Sequence, residues 1–196
     1  MIELLPSSAV KELKDNLSIK RYNHSVGVME TAFLLADSWE NYSIDRTDLA
    51  WASLFHDCGK EIPKADRARI CSKNSFSHGK ELIDTTKLNH APIGAKLLHD
   101  NYGIKNKDVL MAVAYHPTGH PELSPIGWII YISDYLEPGR TSMENREEYL
   151  QKACDDPLQG LKIVTEIRIK TVRKKNKPIH PMANKFKKYL DNLKSI

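Results

Sequence analysis

The chain places imidazole and carboxylate side chains at the ends of its apolar segments. In LFHDCGKEIPK, residues 54–64, the apolar run stops at Phe55, and His56 and Asp57 follow directly. Burying a histidine beside a carboxylate is costly unless hydrogen bonds or a metal ion satisfy both groups. One shared metal cluster would satisfy all the side chains that are placed in this way. The candidate metal ligands are His24, His56, Asp57, His90, His116 and Asp134.

The mixture of candidate ligands predicts the kind of metal. Imidazoles and carboxylates without thiolates fit iron, manganese, cobalt or zinc, and they exclude the cysteine-rich structural zinc sites. Asp57 has two oxygens and could bridge two ions, whereas a histidine binds one. A pair of ions roughly 3.5–4 Å apart is the arrangement that splits phosphate esters and anhydrides. We therefore expect two divalent or trivalent ions, with iron first and manganese, cobalt or zinc as alternatives.

The elements that must position these ligands are predicted to be helices. Apolar residues recur at helical spacing in nearly every segment, and Gly59 and Gly103 suit helix C-termini. The segment IGWIIYISDYLEP could be a strand or a helix by composition, but a helix is expected because no partner strand appears elsewhere. Further helices are expected around 143–153, 158–175 and 182–194, and the polar segment 71–89 is expected to be mostly loop. The predicted fold class is all-α.

Length and composition fit one soluble domain. The chain has 196 residues, 41% of them hydrophobic, and a formal net charge of +4, which does not imply wholesale binding to nucleic acid. No apolar run approaches the roughly 20 residues that span a bilayer, and the first residues lack the pattern of a signal peptide. The three cysteines are scattered, which favours a reducing compartment. We expect a cytoplasmic protein that does not bind membranes.

Basic residues are concentrated near the C-terminus, and their role stays open at this point. They could meet an anionic ligand or form a solvated helix face. The basic residues of this segment are Arg168, Lys170, Arg173, Lys174, Lys175, Lys177, Lys185, Lys187 and Lys188.

The ordered motifs resemble a known family. The pattern of His24, the His56-Asp57 pair and Asp134 is similar to the HD-domain metal-dependent phosphohydrolases. The segments that narrow the resemblance to the YqeK-type branch are RYNHSVGVMETA, LFHDCGKEIPK, LNHAPIGA, AYHPTGHPELSPIGWIIYISDYLEPGR and KPIHP. That branch consists of symmetrical bis(5′-nucleosyl)-tetraphosphatases, which cut diadenosine tetraphosphate into two ADP molecules. The resemblance implies one all-α HD-domain bundle over residues 1–196, with a core of about 18–140 and C-terminal helices in 141–196 that complete the nucleotide pocket.

The resemblance also implies roles for individual residues. The first ion would be held by His24, His56, Asp57 and Asp134. The second would be held by His90 and His116, with Asp57 bridging. Residues expected to act in catalysis are Asp57, Lys60 and Arg140. The expected nucleotide contacts are Ser25, Val26, Gly27, Val28, His116, Pro117, Arg140, Lys177, Pro178, Ile179, His180, Pro181 and Met182.

The expected reaction is hydrolysis of a phosphoanhydride. A water or hydroxide held between the two ions would attack phosphorus, and Arg140 would clamp a phosphate with its planar donor fork. Lys60 would neutralise a phosphate or simply be solvated. His180 would face the ligand or cap a helix. Family members are often dimeric, so a homodimer is an open expectation.

Two other functions remain open from the sequence. One is an HD phosphohydrolase that acts on a deoxynucleotide, a cyclic dinucleotide or a guanosine alarmone. The other is a module that binds nucleotides or RNA without turnover, a function that the basic C-terminal segment suggests. The complete set of six ligands argues against the second alternative, since a module without catalysis does not need a dimetal site.

Overall fold

The computed structural model describes residues 1–63, 65–67, 70, 87–141 and 143–196. In these ranges the regular secondary structure consists of helices joined by turns and loops. A short 3₁₀ turn, Ile2–Leu4, precedes the α-helices. The α-helices of these ranges are α1 (Ser7–Asn16), α2 (Ile19–Ser38), α3 (Arg46–Phe55), α4 (His90–Tyr102), α5 (Lys107–Tyr115), α6 (Pro125–Leu136), α7 (Arg146–Asp155), α8 (Pro157–Lys174) and α9 (Pro181–Asn192).

The all-α prediction is confirmed, including the helical assignment of IGWIIYISDYLEP, which forms α6. No strand occurs in the described ranges. The expected loop at 71–89 lies largely outside them, since residues 71–86 are not described. The division of the chain into a core and a C-terminal part stays a prediction.

Helix α2 lies at the centre of the bundle because two of its faces are apolar. It packs against α1, α3, α6 and α7. Val28, Met29, Ala32 and Leu35 are at most 1% exposed, so the helix is buried on more than one side. This position holds its first turns, which carry His24, against the C-terminal ends of α3 and α6.

Local capping sets where the ligand-bearing helices begin and end. Asp45 accepts a hydrogen bond from the backbone N–H of Asp48 at the start of α3, and Asn106 accepts one from Asp108 at the start of α5. Gly103 follows α4 with a φ of 67°, a left-handed conformation that glycine adopts without a steric penalty.

Gly59 does not end α3, contrary to the sequence-based expectation. The helix ends at Phe55, and residues 56–61 form a tight turn. A Cβ atom at Gly59 would lie 2.2 Å from the carbonyl oxygen of His90 and 2.9 Å from the backbone nitrogen of Gly94. Glycine is therefore required because the turn after α3 packs directly on the backbone of α4. This close approach brings His56 and Asp57 beside His90.

The C-terminal helices α8 and α9 cover one side of α6. Helix α8 packs against α6, α7 and α9. Phe186 of α9 is fully buried and meets the ring of Tyr131 edge-on, with ring centroids 5.2 Å apart. This packing fixes α8 against the end of α6 that carries Asp134. Among the helices that the structure describes, none combines the length and apolarity needed to cross a bilayer.

Candidate metal centre

The six candidate ligands meet at one end of the bundle, although they come from five separate helices or turns. His56 and His116 directly follow the last residues of α3 and α5, and His90 is the first residue of α4. All six are buried except His24, whose side chain is 18% exposed. The structure thus brings together every ligand that the sequence suggested.

The first group of ligand atoms comes from His24, His56 and Asp134. His24 Nε2 lies 3.2 Å from His56 Nε2 and 3.2 Å from Asp134 Oδ1. The distance from His56 Nε2 to Asp134 Oδ1 is 3.8 Å. Three donor atoms spaced in this way can all reach one ion, since metal–nitrogen and metal–oxygen bonds are about 2.0–2.2 Å long.

The second group comes from Asp57, His90 and His116. Asp57 Oδ1 lies 3.4 Å from Nε2 of His90 and 3.4 Å from Nε2 of His116. The two Nε2 atoms are 3.3 Å apart. The other carboxylate oxygen, Asp57 Oδ2, faces the first group, at 3.8 Å from His56 Nε2 and 3.9 Å from His24 Nε2. Asp57 therefore lies between the groups with one oxygen directed at each.

The hydrogen bonds of the rings determine which nitrogen faces the centre. Nδ1 of His56, His90 and His116 lies 2.8, 3.0 and 2.8 Å from the backbone carbonyls of Ser53, Lys87 and Val113, respectively. A carbonyl oxygen only accepts, so each Nδ1 carries the proton and donates it. In the neutral ring, Nε2 then has a free lone pair. The facing Nε2 atoms of His90 and His116 are therefore both acceptors, with no proton between them.

Burial keeps His56 and His90 neutral, whereas the Asp134 carboxylate stays charged. Desolvation lowers the pKa of His56 and of His90 to about 4, against the opposing attraction of Asp57. Burial opposes ionisation of Asp134, but the Arg168 guanidinium and the His24 ring hold the pKa of that carboxyl well below its usual range.

This arrangement fits metal ions. Asp57 Oδ1 is buried and has no hydrogen-bond partner among the described residues, and an orphaned buried acceptor of this kind needs an explanation. Lone pairs of neighbouring imidazoles and a carboxylate converge on the same space, which suits a cation and disfavours an empty site. The donors are nitrogen and oxygen atoms, as for first-row transition metals.

Arg168 is a site residue that the sequence did not reveal. It belongs to the basic C-terminal segment, yet its side chain is only 16% exposed, and its Nη2 donates to Asp134 Oδ2 at 2.8 Å. Its guanidinium lies 4.6 Å from the ring centroid of Tyr131 and 5.1 Å from that of Tyr135. The alternative that these basic residues form a solvated helix face is therefore wrong for Arg168. Arg168 and Asp134 are 34 residues apart in the sequence, so no short motif indicates that they form a pair.

Glu137 is a second residue that sequence reasoning missed. It is 4% exposed, and its Oε1 lies 3.1 Å from Nδ1 of His24. Arg140, which was expected, lies beside it and donates through Nη2 to Asp134 Oδ1 at 3.3 Å. Lys60 Nζ lies 3.2 Å from Asp57 Oδ2. Each of the two acidic ligands thus has a cationic neighbour that also reaches the cavity.

A cavity of about 1390 Å³ opens above the ligands. Of the expected nucleotide contacts, Val26, Gly27, His116, Pro117 and Arg140 line it. The cationic residues that line it are Lys20, Arg21, Lys60, Lys87, Arg140 and Arg168.

Ser25 and Val28 do not line the cavity, contrary to expectation. Both are fully buried, because they occupy the faces of α2 that pack on neighbouring helices. Helical periodicity shows that α2 is apolar on several faces, but it does not show which face the cavity meets.

The segment from Lys177 to Met182 does not line the cavity either. His180 is the N-cap of α9, where its Nδ1 accepts a hydrogen bond from the backbone N–H of Met182, so the helix-cap alternative is the one observed. Pro178 and Ile179 belong to the connection between α8 and α9, and Pro181 is the first residue of α9. The ammonium of Lys87, which lines the cavity, lowers the pKa of Lys177.

The stability of the metal-free protein is expected to fall as the pH drops from about 6.5 towards 4. In this window the unfolded chain protonates His56 and His90 while the folded protein leaves them neutral, so the unfolded state binds more protons. The loss is at most about 3 kcal/mol for each histidine. Chemical denaturation across this range measures it, and His90→Gln is expected to flatten the pH dependence. An identical pH slope in wild type and variant would contradict this assignment.

Removing Arg168 is expected to leave the buried Asp134 carboxylate without its nearest cation, so that its charge is only partly compensated, by Arg140 at 3.3 Å. In the metal-free protein, Arg168→Met should lower the free energy of unfolding by about 3–5 kcal/mol. The same change in an Asp134→Asn background should cost much less, because no charge is left to neutralise. Arg173→Met, on an exposed position of the same helix, is the control and should change stability by less than about 0.5 kcal/mol. Equal costs of Arg168→Met in both backgrounds would show that the residue acts through packing alone.

Comparison with known proteins agrees with the site. The HD domain model matches residues 21–139. Over 88% of this chain and 90% of the relative, the sequence is 35% identical to a protein of Halalkalibacterium halodurans named bis(5′-nucleosyl)-tetraphosphatase, symmetrical. A protein of Bacillus subtilis with the same name is 34% identical over 86% of this chain and 88% of its own length.

A solved structure also places the chain in the HD domain family. It is a crystal structure from Clostridium acetobutylicum described as a "predicted HD superfamily hydrolase involved in NAD metabolism". It has a TM-score of 0.84 and 34% sequence identity, and the match covers 95% of this chain and 97% of that one. The chain therefore belongs to the HD domain family, in which its relatives include the symmetrical bis(5′-nucleosyl)-tetraphosphatases.

Proposed function

We propose that the protein is a metal-dependent hydrolase that cleaves diadenosine tetraphosphate symmetrically into two ADP molecules. The observation that carries this proposal is the pair of ligand groups on either side of Asp57, which line a large cavity together with several cationic side chains. The names of the relatives favour this activity over an HD phosphohydrolase of another nucleotide and over a binding module without turnover.

The ligand groups would hold two ions. His24, His56 and Asp134 would bind the first, His90 and His116 the second, and Asp57 would bridge them. Bound there, the ions would supply Lewis acidity at the phosphate oxygens and an activated water as nucleophile. The free Nε2 lone pairs and the orphaned Oδ1 of Asp57 support this assignment.

The protein's own cations would hold the substrate in place. Arg140 donates from Nε and Nη2 to Asp134, which leaves its Nη1 N–H groups to contact a phosphate. Lys60, beside Asp57, can neutralise a second phosphate. Because the leaving group is itself a nucleoside diphosphate, its departure needs less protonation than that of an alkoxide.

The size and charge of the cavity suit a long polyphosphate. Its volume of about 1390 Å³ exceeds the roughly 300–1,000 Å³ of typical small-molecule pockets. Lys20, Arg21 and Lys87 extend the cationic lining beyond Lys60, and Lys177 lies next to Lys87. Val26, Gly27 and Pro117 provide less polar surface near the ligands, against which a nucleoside can pack.

Three finer points belong to the same proposal. Iron is the expected native metal. Manganese, cobalt and zinc are the alternatives, because the ions of all four metals accept mixed imidazole and carboxylate ligands. A cytoplasmic location is supported by Cys58 and Cys154, the cysteines that the structure describes, since both are free thiols. The homodimer rests on the resemblance to dimeric family members.

The proposed activity is tested by separating the products of diadenosine tetraphosphate hydrolysis. Protein purified without oxygen, with its metals assayed, should yield ADP as the sole nucleotide product. Asp57→Asn should lower the rate at least about 100-fold, because changes to outer-shell partners alone cost 10–100-fold. Glu40→Gln, a change at an exposed acidic residue outside the cavity lining, is the control and should retain activity.

Two outcomes would contradict the proposal. ATP with AMP as products would overturn the symmetrical placement of the substrate over the ions. No hydrolysis by protein that holds two ions would redirect the search to other phosphoanhydride and phosphodiester substrates.

A further inference from the structure

His24 differs from the other three histidines of the centre in how its Nδ1 atom is held. His56, His90 and His116 each direct Nδ1 at a backbone carbonyl three residues earlier, which is available because these residues lie at helix ends. His24 lies inside α2, where the carbonyls of the preceding turn accept helical N–H groups. Its Nδ1 therefore needs an acceptor from elsewhere in the chain. Glu137 Oε1, at 3.1 Å, is that acceptor.

The surroundings of Glu137 fix its carboxylate in place. The side chain is 5% exposed, and Oε2 accepts a hydrogen bond from the backbone N–H of Gly139. Arg140 Nε lies 3.6 Å from Oε1. A Cβ atom at position 27 would come within 2.9 Å of Oε2, so Gly27, one helical turn after His24, leaves room for the carboxylate.

We propose that Glu137 is a positioning residue that sets the protonation of the His24 ring and strengthens its Nε2 as a metal ligand. A carboxylate only accepts, so it holds the proton on Nδ1 and leaves the Nε2 lone pair facing His56 and Asp134. Its negative charge also raises the basicity of the ring, as in carboxylate–histidine–metal triads. The inference rests on the metal site of the proposed function and is independent of the substrate.

The effect should be confined to one of the two ligand groups. His24 faces His56 and Asp134, whereas His90 and His116 are oriented by backbone carbonyls that do not involve Glu137. Loss of Glu137 should therefore weaken the binding of one ion and leave the binding of the other unchanged. A purely structural ion pair between Glu137 and Arg140 would have no such selectivity.

The first test reads the ring directly in the metal-free protein. Histidine labelled with ¹⁵N distinguishes the two neutral forms by long-range ¹H–¹⁵N correlation at about pH 8.5, where an ordinary histidine is neutral. The His24 signals are assigned by their loss in His24→Gln. Wild type should carry the proton on Nδ1.

The matched variants are Glu137→Gln and Glu30→Gln. In Glu137→Gln, an NH₂ group replaces one of the two carboxylate oxygens that now face His24 and Gly139. With the NH₂ group directed at His24 Nδ1, the variant should populate the Nε2-protonated form. It keeps the side-chain volume, which protects the fold. Glu30→Gln should leave the ring unchanged. The proposal would be overturned if His24 carried its proton on Nε2 in wild type, or if the ring in Glu137→Gln kept its wild-type form.

The second test measures metal binding without substrate. Titration with Mn²⁺ or Co²⁺, followed by calorimetry, should show one of two equivalents weakened about 10–100-fold in Glu137→Gln. Gly27→Ala, which keeps the carboxylate but displaces it, should weaken the same equivalent. Equal weakening of both equivalents, or of neither, would refute the role given to Glu137. Failure of diadenosine tetraphosphate hydrolysis would leave both readouts intact, so the two proposals can fail separately.

Discussion

The centre of this structure is a set of imidazole nitrogens and carboxylate oxygens that face one another in a buried space. Two histidine pairs approach through Nε2 at 3.2 and 3.3 Å, and the Asp57 carboxylate lies between the pairs. In a buried setting, such an arrangement is unfavourable for the protein alone, because each lone pair has lost its water. A cation converts the same geometry into favourable contacts. The rest of the bundle can be understood as the framework that holds these acceptors in place.

The framework relies on helix ends and on two buried side chains. Helix C-termini leave backbone carbonyls free, and the rings of His56 and His116 use them to turn Nε2 inwards. Gly59 permits the turn after α3 to lie directly on α4. From the other side, Arg168 on α8 neutralises Asp134, so the C-terminal helices contribute to the charge balance of the centre.

Much of this centre follows from the sequence because its ligands interrupt apolar helical patterns. His56, Asp57, His116 and Asp134 stand out as polar residues at the ends of apolar runs, and that signal is local. The pairing of Arg168 with Asp134 depends on how α8 packs on α6, and a basic residue in a lysine-rich segment looks like a solvated one. For a related reason, the sequence did not show that Ser25 and Val28 lie outside the cavity lining: periodicity indicates that α2 is buried on several faces but not which face meets the cavity.

The central claim is that the converging lone pairs hold two metal ions, and anomalous X-ray scattering from crystals of protein purified without oxygen tests it most directly. Data collected on both sides of the absorption edge of the assayed metal locate each ion independently of any activity. We expect two peaks on either side of Asp57, one among His24, His56 and Asp134 and the other beside His90 and His116. No anomalous peak at the centre, with water molecules or rotated rings separating the Nε2 atoms, would contradict the account.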